Sequence, residues 1–199
     1  MTASFLSALS ISAAAQGDYL KYGEGGVDLN IFGEIGSENK GNLGGKVGIS
    51  LKGVLDFGFS ILAAEKTMYS PSITLNLLKQ DRTGSPICLS LTGAVASTSI
   101  DRIFSDNIFL TGPVFFSNIR LKHDLAIQPS FHMGWQGMIG AGSYRAWHAK
   151  TVFEIGLSFF KDLETGESIK FETAYLFSGA NYGIALSIGL LFREDKPGR

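Results

Sequence analysis

Val47–Ile61, VGISLKGVLDFGFSI, decides how the rest of the chain is read. Val47, Ile49 and Leu51 alternate with Gly48 and Ser50, and Leu55, Phe57, Phe59 and Ile61 alternate with Asp56, Gly58 and Ser60. A period of two over such a length belongs to β-strands with one apolar face and one small or polar face. With Lys52, Gly53 and Val54 as the turn, Leu51 stands against Leu55, Ile49 against Phe57 and Val47 against Phe59, so the apolar face runs unbroken across both strands. A two-residue turn would set Ile49 against Asp56, because a slip of one residue moves every side chain to the other face. The stretch predicts a hairpin with a three-residue turn and a strongly two-sided character.

The same alternation recurs on either side. Upstream, Val27, Leu29, Ile31 and Ile35 alternate with Asp28, Asn30 and Glu34. Downstream, apolar runs pass through Ile73–Leu77, Ile87–Val95, Leu125–Trp135, Phe153–Phe159, Ile169–Phe177 and Tyr182–Leu190. Ile108–Ser117 is a strand of unsettled phase, because Gly112 and Pro113 interrupt it and proline cannot donate to a ladder. No helical period appears between the runs. The expectation is an all-β, closed antiparallel up-and-down barrel of about ten strands, with eight or twelve if Ile108–Ser117 or the N-terminus is misread.

An even strand number sorts the connections into two sets. KGV, KQDRTGS, NIRLKH and KDLETGE are short; SENKGN, AAEKTMYSP, the Ser97–Asn107 loop and the glycine-rich Gln136–Trp147 loop are mostly longer, with GAN the exception. Short turns on one rim and long loops on the other is the asymmetry of a transmembrane barrel.

Which face points inward separates two architectures. A lipocalin-like soluble barrel, binding a ligand, would hide the apolar face and wet the other. The other face here reads Gly48, Ser50, Gly58, Ser60, Ser90, Ala94, Ser130, Gly134, Gly156, Ser158, Gly183, Ala185, Ser187 and Gly189. Small residues suit the crowded axis of a narrow barrel better than a wet surface. Glycine is accordingly abundant, 25 of 199 residues, well above the usual share of about 7%. The apolar face is therefore expected to meet lipid. Trp135, Trp147 and Tyr182 fall at one rim with Tyr69 near them, where half-wet aromatic rings gather.

Composition excludes other classes. Net charge is −1 with no basic stripe, so nucleic acid is not a partner. Cys88 is the single cysteine, so no intrachain disulfide forms. Residues 1–15 read as a signal peptide lacking its basic start, with Ala13, Ala14 and Ala15 before Gln16 as the cleavage site; a non-secreted terminal strand or helix is the alternative. The barrel then spans residues 16–192 and a short tail 193–199.

The final strand, YGIALSIGLLF from Tyr182 to Phe192, resembles the terminal strand of Gram-negative outer-membrane β-barrels, which ends in an aromatic after alternating apolar residues. The resemblance is to an architecture, over residues 17–192. It implies an outer-membrane location, contact with membrane lipids and insertion by the barrel-assembly machinery.

Within that frame the inward charges are Asp28, Glu34, Lys46, Asp56, Glu154, Lys170 and Glu172. They either pair with one another in a filled lumen, since unpaired buried charge is costly, or line a narrow path for a small solute or ion. His132, Ser130 and Glu154 share the inward face and form a weak catalytic candidate for a rim hydrolase. His123 and His148 have no metal-ligand spacing, and Gly140–Gly142 lacks the third glycine of a nucleotide loop. No cofactor is implied. The leading reading is a small porin-like or structural outer-membrane barrel with a narrow polar lumen and no enzymatic activity.

Overall fold

The computed structural model describes residues 20–36, 41–64, 67–98, 107–139, 150–179 and 181–194. The organising hairpin forms as its pattern dictates. Strands β2 (Gly41–Leu51) and β3 (Leu55–Ala63) pair with Leu51 opposite Leu55, Ile49 opposite Phe57 and Val47 opposite Phe59. Lys52 and Gly53 both take positive φ, which closes the turn, and the Val54 amide donates to the Leu51 carbonyl at 3.0 Å.

The other strands are β1 (Gly26–Gly36), β4 (Met68–Leu78), β5 (Cys88–Ala96), β6 (Asn107–Phe116), β7 (Ile119–Lys122), β8 (Leu125–Ile139), β9 (Lys150–Asp162), β10 (Ser168–Ser178) and β11 (Asn181–Arg193). Each pairs antiparallel with its sequence neighbours, except that β6 and β7 do not pair with each other. β1 pairs with β11 from Gly26–Arg193 to Gly36–Gly183, and β6 pairs with β8, so the sheet closes on itself. β6 and β7 both lie along β8 and act as one strand broken at Ser117 and Asn118. The result is a ten-stranded closed antiparallel barrel.

Three local expectations are corrected. The KQDRTGS connection holds one helical turn, α1 (Gln80–Thr83), rather than a plain turn. Asn118–His123 is mostly strand, and the reversal is narrowed to His123 and Asp124. The sequence also allows the first strand to start as early as Tyr19, which lies outside the described residues; β1 begins only at Gly26, and Leu20–Gly25 is an irregular segment. Pro113 also leaves its mark, since the β6–β8 pairing skips from Thr111–Trp135 to Val114–His132.

The faces are as the alternation requires. Ile31 and Leu43 are each 62% exposed, Ile188 57% and Ile155 54%, whereas Ser90 is fully buried and Ser187 is 5% exposed. Phe57 and Leu75 also point out, and Gly48 points in. A band of leucine, isoleucine, valine and phenylalanine around a closed sheet with a small and polar interior is the inverse of a water-soluble barrel. The soluble ligand-binding alternative, which needs these side chains sealed in the centre, is overturned. Strands of about 11 residues at roughly 3.3 Å per residue and a tilt near 40° give a band close to 25 Å tall.

Candidate functional site

Among the described residues the closed sheet encloses a lumen, and its contents are ordered by height. In the half nearer the short turns, β1 sends Asp28 inward and β10 sends Lys170 and Glu172, on either side of β11. Lys170 Nζ lies 3.1 Å from Asp28 Oδ2 and 3.2 Å from Glu172 Oε2. The Ser187 hydroxyl donates to Glu172 Oε2 at 2.9 Å and the Ser158 hydroxyl to Glu172 Oε1 at 3.2 Å. Asn30 hydrogen-bonds the second oxygen of Asp28. Lys46, on the neighbouring β2, points into the same region and is 6% exposed. On the opposite wall Asn76 donates to Asp56 Oδ2 at 2.9 Å, Ser90 donates to Asn76, and Thr74 and Thr92 share a hydrogen bond of 2.9 Å. Asn42 donates to Glu34 at 2.8 Å nearer the long-loop rim. The sequence-predicted set Asp28, Glu34, Lys46, Asp56, Glu154, Lys170 and Glu172 therefore all faces the lumen.

Charges at such depth need partners, because an ion moved out of water loses several kcal/mol of hydration. One lysine shared by two carboxylates, each also held by a hydroxyl or amide, meets that need without any ligand.

His132 and Glu154 are register partners on β8 and β9, with Nδ1 and Oε2 3.8 Å apart. Neither imidazole nitrogen has a hydrogen-bond partner, so Ser130 is not joined to the histidine. Ser130 sits against Gly156 instead. A nucleophile needs its base within hydrogen-bond reach and the base oriented by a third group. The chain brings two of the three candidates together and leaves the nucleophile out.

Above the ionic layer, toward the long-loop rim, large apolar side chains join the lumen at the level of Glu34 and Glu154. Phe32, Leu62, Met68, Leu110, Val152 and Leu176 form one buried cluster with Ala94, Ala96, Ile108 and Ala185. Phe32 and Leu176 are each 1% exposed. The expectation of a narrow polar lumen is corrected here, because large apolar side chains share the interior with the charges. The layer's signal is present in the sequence as adjacent apolar pairs, Ile31–Phe32, Ile61–Leu62 and Leu176–Phe177, in which one member must face inward. Toward the short-turn rim a second small cluster, Cys88, Val114 and Phe116, lines the wall.

The rims also take shape. On the outside near the long loops, Phe131, Phe153, Phe177, Tyr175 and Tyr182 form a continuous ring-to-ring ladder, with centroids 5.3–6.4 Å apart. Trp135 is 45% exposed on the same side, Tyr69 is half-buried on β4, and Phe192 faces out at the short-turn rim. Trp147 and His148 lie outside the described residues, as do residues 1–15. At the short-turn rim Arg193 binds Asp162 at 2.7 Å and Ser168 at 2.8 Å, tying β11 to the β9–β10 turn.

No protein-family model and no curated protein matches the chain. Among solved structures it is similar to the translocator domain of the autotransporter NalP from Neisseria meningitidis, at 12% identity and a TM-score of 0.47, covering 94% of this chain and 93% of that one. It is similar to the KdgM porin in complex with disordered oligogalacturonate, at 6% identity and a TM-score of 0.42, covering 84% and 99%. The N-terminal β-barrel domain of Pseudomonas aeruginosa OprF gives 12% identity and a TM-score of 0.36, covering 84% and 97%.

Proposed function

We propose that this chain is a closed outer-membrane barrel with a structural, anchoring role rather than a solute-conducting one. The apolar layer of Phe32, Leu62, Leu110, Val152 and Leu176 carries this reading. A permeating ion would have to pass where these large side chains crowd the axis of a narrow barrel, with Glu154 beside Leu176 and Glu34 beside Ala185 buried among them, so the layer closes the lumen by filling it. The paired charges below it support the same view, because Lys170, Asp28 and Glu172 satisfy one another. In this reading the charges hold the wall together and line no path.

The barrel sits in the lipid of the outer membrane, with the short turns toward the periplasm and the long loops outward, following the asymmetry of such barrels. Its partners are then the surrounding lipids and the machinery that inserts it. Planar-bilayer recording of the folded, reconstituted protein tests the reading. Silent membranes are expected for the native chain, and discrete conductance for Phe32→Ala combined with Leu176→Ala. Reproducible channel events from the native chain would restore the porin reading.

A further inference from the structure

We infer that Leu20–Gly25 is a hinged stopper that closes the short-turn mouth of the lumen and, when it swings out, opens a water-filled vestibule from that side alone. The segment precedes β1 and crosses the mouth instead of leaving it. Leu20 is 1% exposed while Lys21, Tyr22 and Gly23 beside it are exposed, so the Leu20 side chain is inserted and those three residues lie outside. The Leu20 and Leu191 side chains converge over Gly26.

The Glu194 amide donates to the Gly25 carbonyl at 3.0 Å at the hinge, and four further contacts, from two separate turns, hold Leu20–Gly23 down. Lys79 Nζ, itself 5% exposed, donates to the Leu20 carbonyl at 2.5 Å. The Tyr22 amide donates to Asp81 Oδ2 at 2.6 Å, and the Arg82 guanidinium lies 4.5 Å from the Tyr22 ring centre. The Gly23 amide donates to the Lys52 carbonyl at 2.8 Å. Three of these four are at the exposed rim, where water competes for each, so the latch can release without unfolding the barrel.

The sequence supplies the hinge. Gly23-Glu24-Gly25-Gly26 joins the stopper to β1, and Gly23 has φ +89°, a conformation glycine reaches at little cost. A cleft of about 310 Å³ between Leu20 and Lys21 on one side and Asn118, Arg120 and Ala126 on the other leaves the far edge of the stopper unwalled. Beneath it lie the Asn76, Asp56 and Ser90 hydrogen bonds, a polar column rising toward the ionic layer. Opened, that column hydrates and ends blind under the apolar layer. The inference rests on the closed-barrel reading for that blind end.

Cys88, the chain's one cysteine, is fully buried within this mouth and serves as the reporter. The rate of its modification by a small cationic methanethiosulfonate is measured on the folded, detergent-solubilised barrel, with folding checked by heat-modifiable mobility. Leu20→Ser is expected to accelerate modification about tenfold or more, and the peripheral Asp81→Asn by a smaller factor. Leu62→Ser, at the other end of the lumen, should leave the rate unchanged. Native rates in both Leu20→Ser and Asp81→Asn, or equal acceleration by Leu62→Ser, would overturn the stopper. If Leu20→Ser does not fold, Asp81→Asn decides alone, a native rate there being refutation. Channel events from the native chain would sink the closed barrel while leaving the Cys88 comparison standing, so the two failures are distinct.

Discussion

Phe32 and Gly44 stand opposite each other on β1 and β2, and the Phe32 ring fills the space that a side chain at Gly44 would occupy. The apolar layer is thus built by one large residue set against an absent one. This fits a narrow barrel, whose axis cannot hold bulky side chains from adjacent strands at one height.

Gly44→Val should push the ring from its place and destabilise the folded barrel by about 1–3 kcal/mol, as overpacking does. Phe32→Ala should cost more, about 3–5 kcal/mol, from the cavity left behind. Urea unfolding from lipid vesicles measures both. Equal stability of Gly44→Val and the native chain would show that the ring does not pack as described.

Lys170 holds two carboxylates. Lys170→Met leaves Asp28 and Glu172 buried without their cation, and the loss should be about 3–5 kcal/mol. Adding Asp28→Asn and Glu172→Gln to that variant should recover most of the stability, because no charge is then stranded. Unfolding midpoints of the single and triple variants give the comparison. A triple variant no better than Lys170→Met would mean that stranded charge does not cause the effect.

Ile31 lies at the middle of β1 and faces out at 62% exposure. Ile31→Arg there should cost about 2–4 kcal/mol in a bilayer. Val27→Arg, nearer the rim, should cost markedly less. Equal losses at both depths would argue against a hydrocarbon surround.

The register of the β2–β3 hairpin was legible in the sequence because turn length and face continuity both demand it: Ile49 can meet Phe57 or Asp56, and only one keeps the faces whole. The inward position of Asp28, Lys46, Lys170 and Glu172 followed from the same parity. Their pairing did not, since Lys170 and Asp28 are distant in sequence and meet only because the barrel closes through β11. The apolar layer escaped notice for a different reason. Phe32 and Leu62 each sit beside an outward isoleucine, and a lone apolar residue on the small face reads as noise until several converge. The stopper carried no periodic signal at all; only its glycine-rich hinge marked it, and glycine was common throughout. Of the hydrolase grouping, His132 and Glu154 meet by register, while Ser130 faces Gly156 instead.

Everything rests on the apolar faces pointing into lipid. Spin labels at Ile31, Leu75, Ile188 and Ser187 in the reconstituted barrel, with collision rates measured against oxygen and against a water-soluble nickel chelate, test this most directly. The first three should collide strongly with oxygen and hardly with nickel, and the Ser187 label should meet neither freely. Labels at Ile31, Leu75 and Ile188 that are shielded from oxygen, with Ser187 open to nickel, would contradict the account.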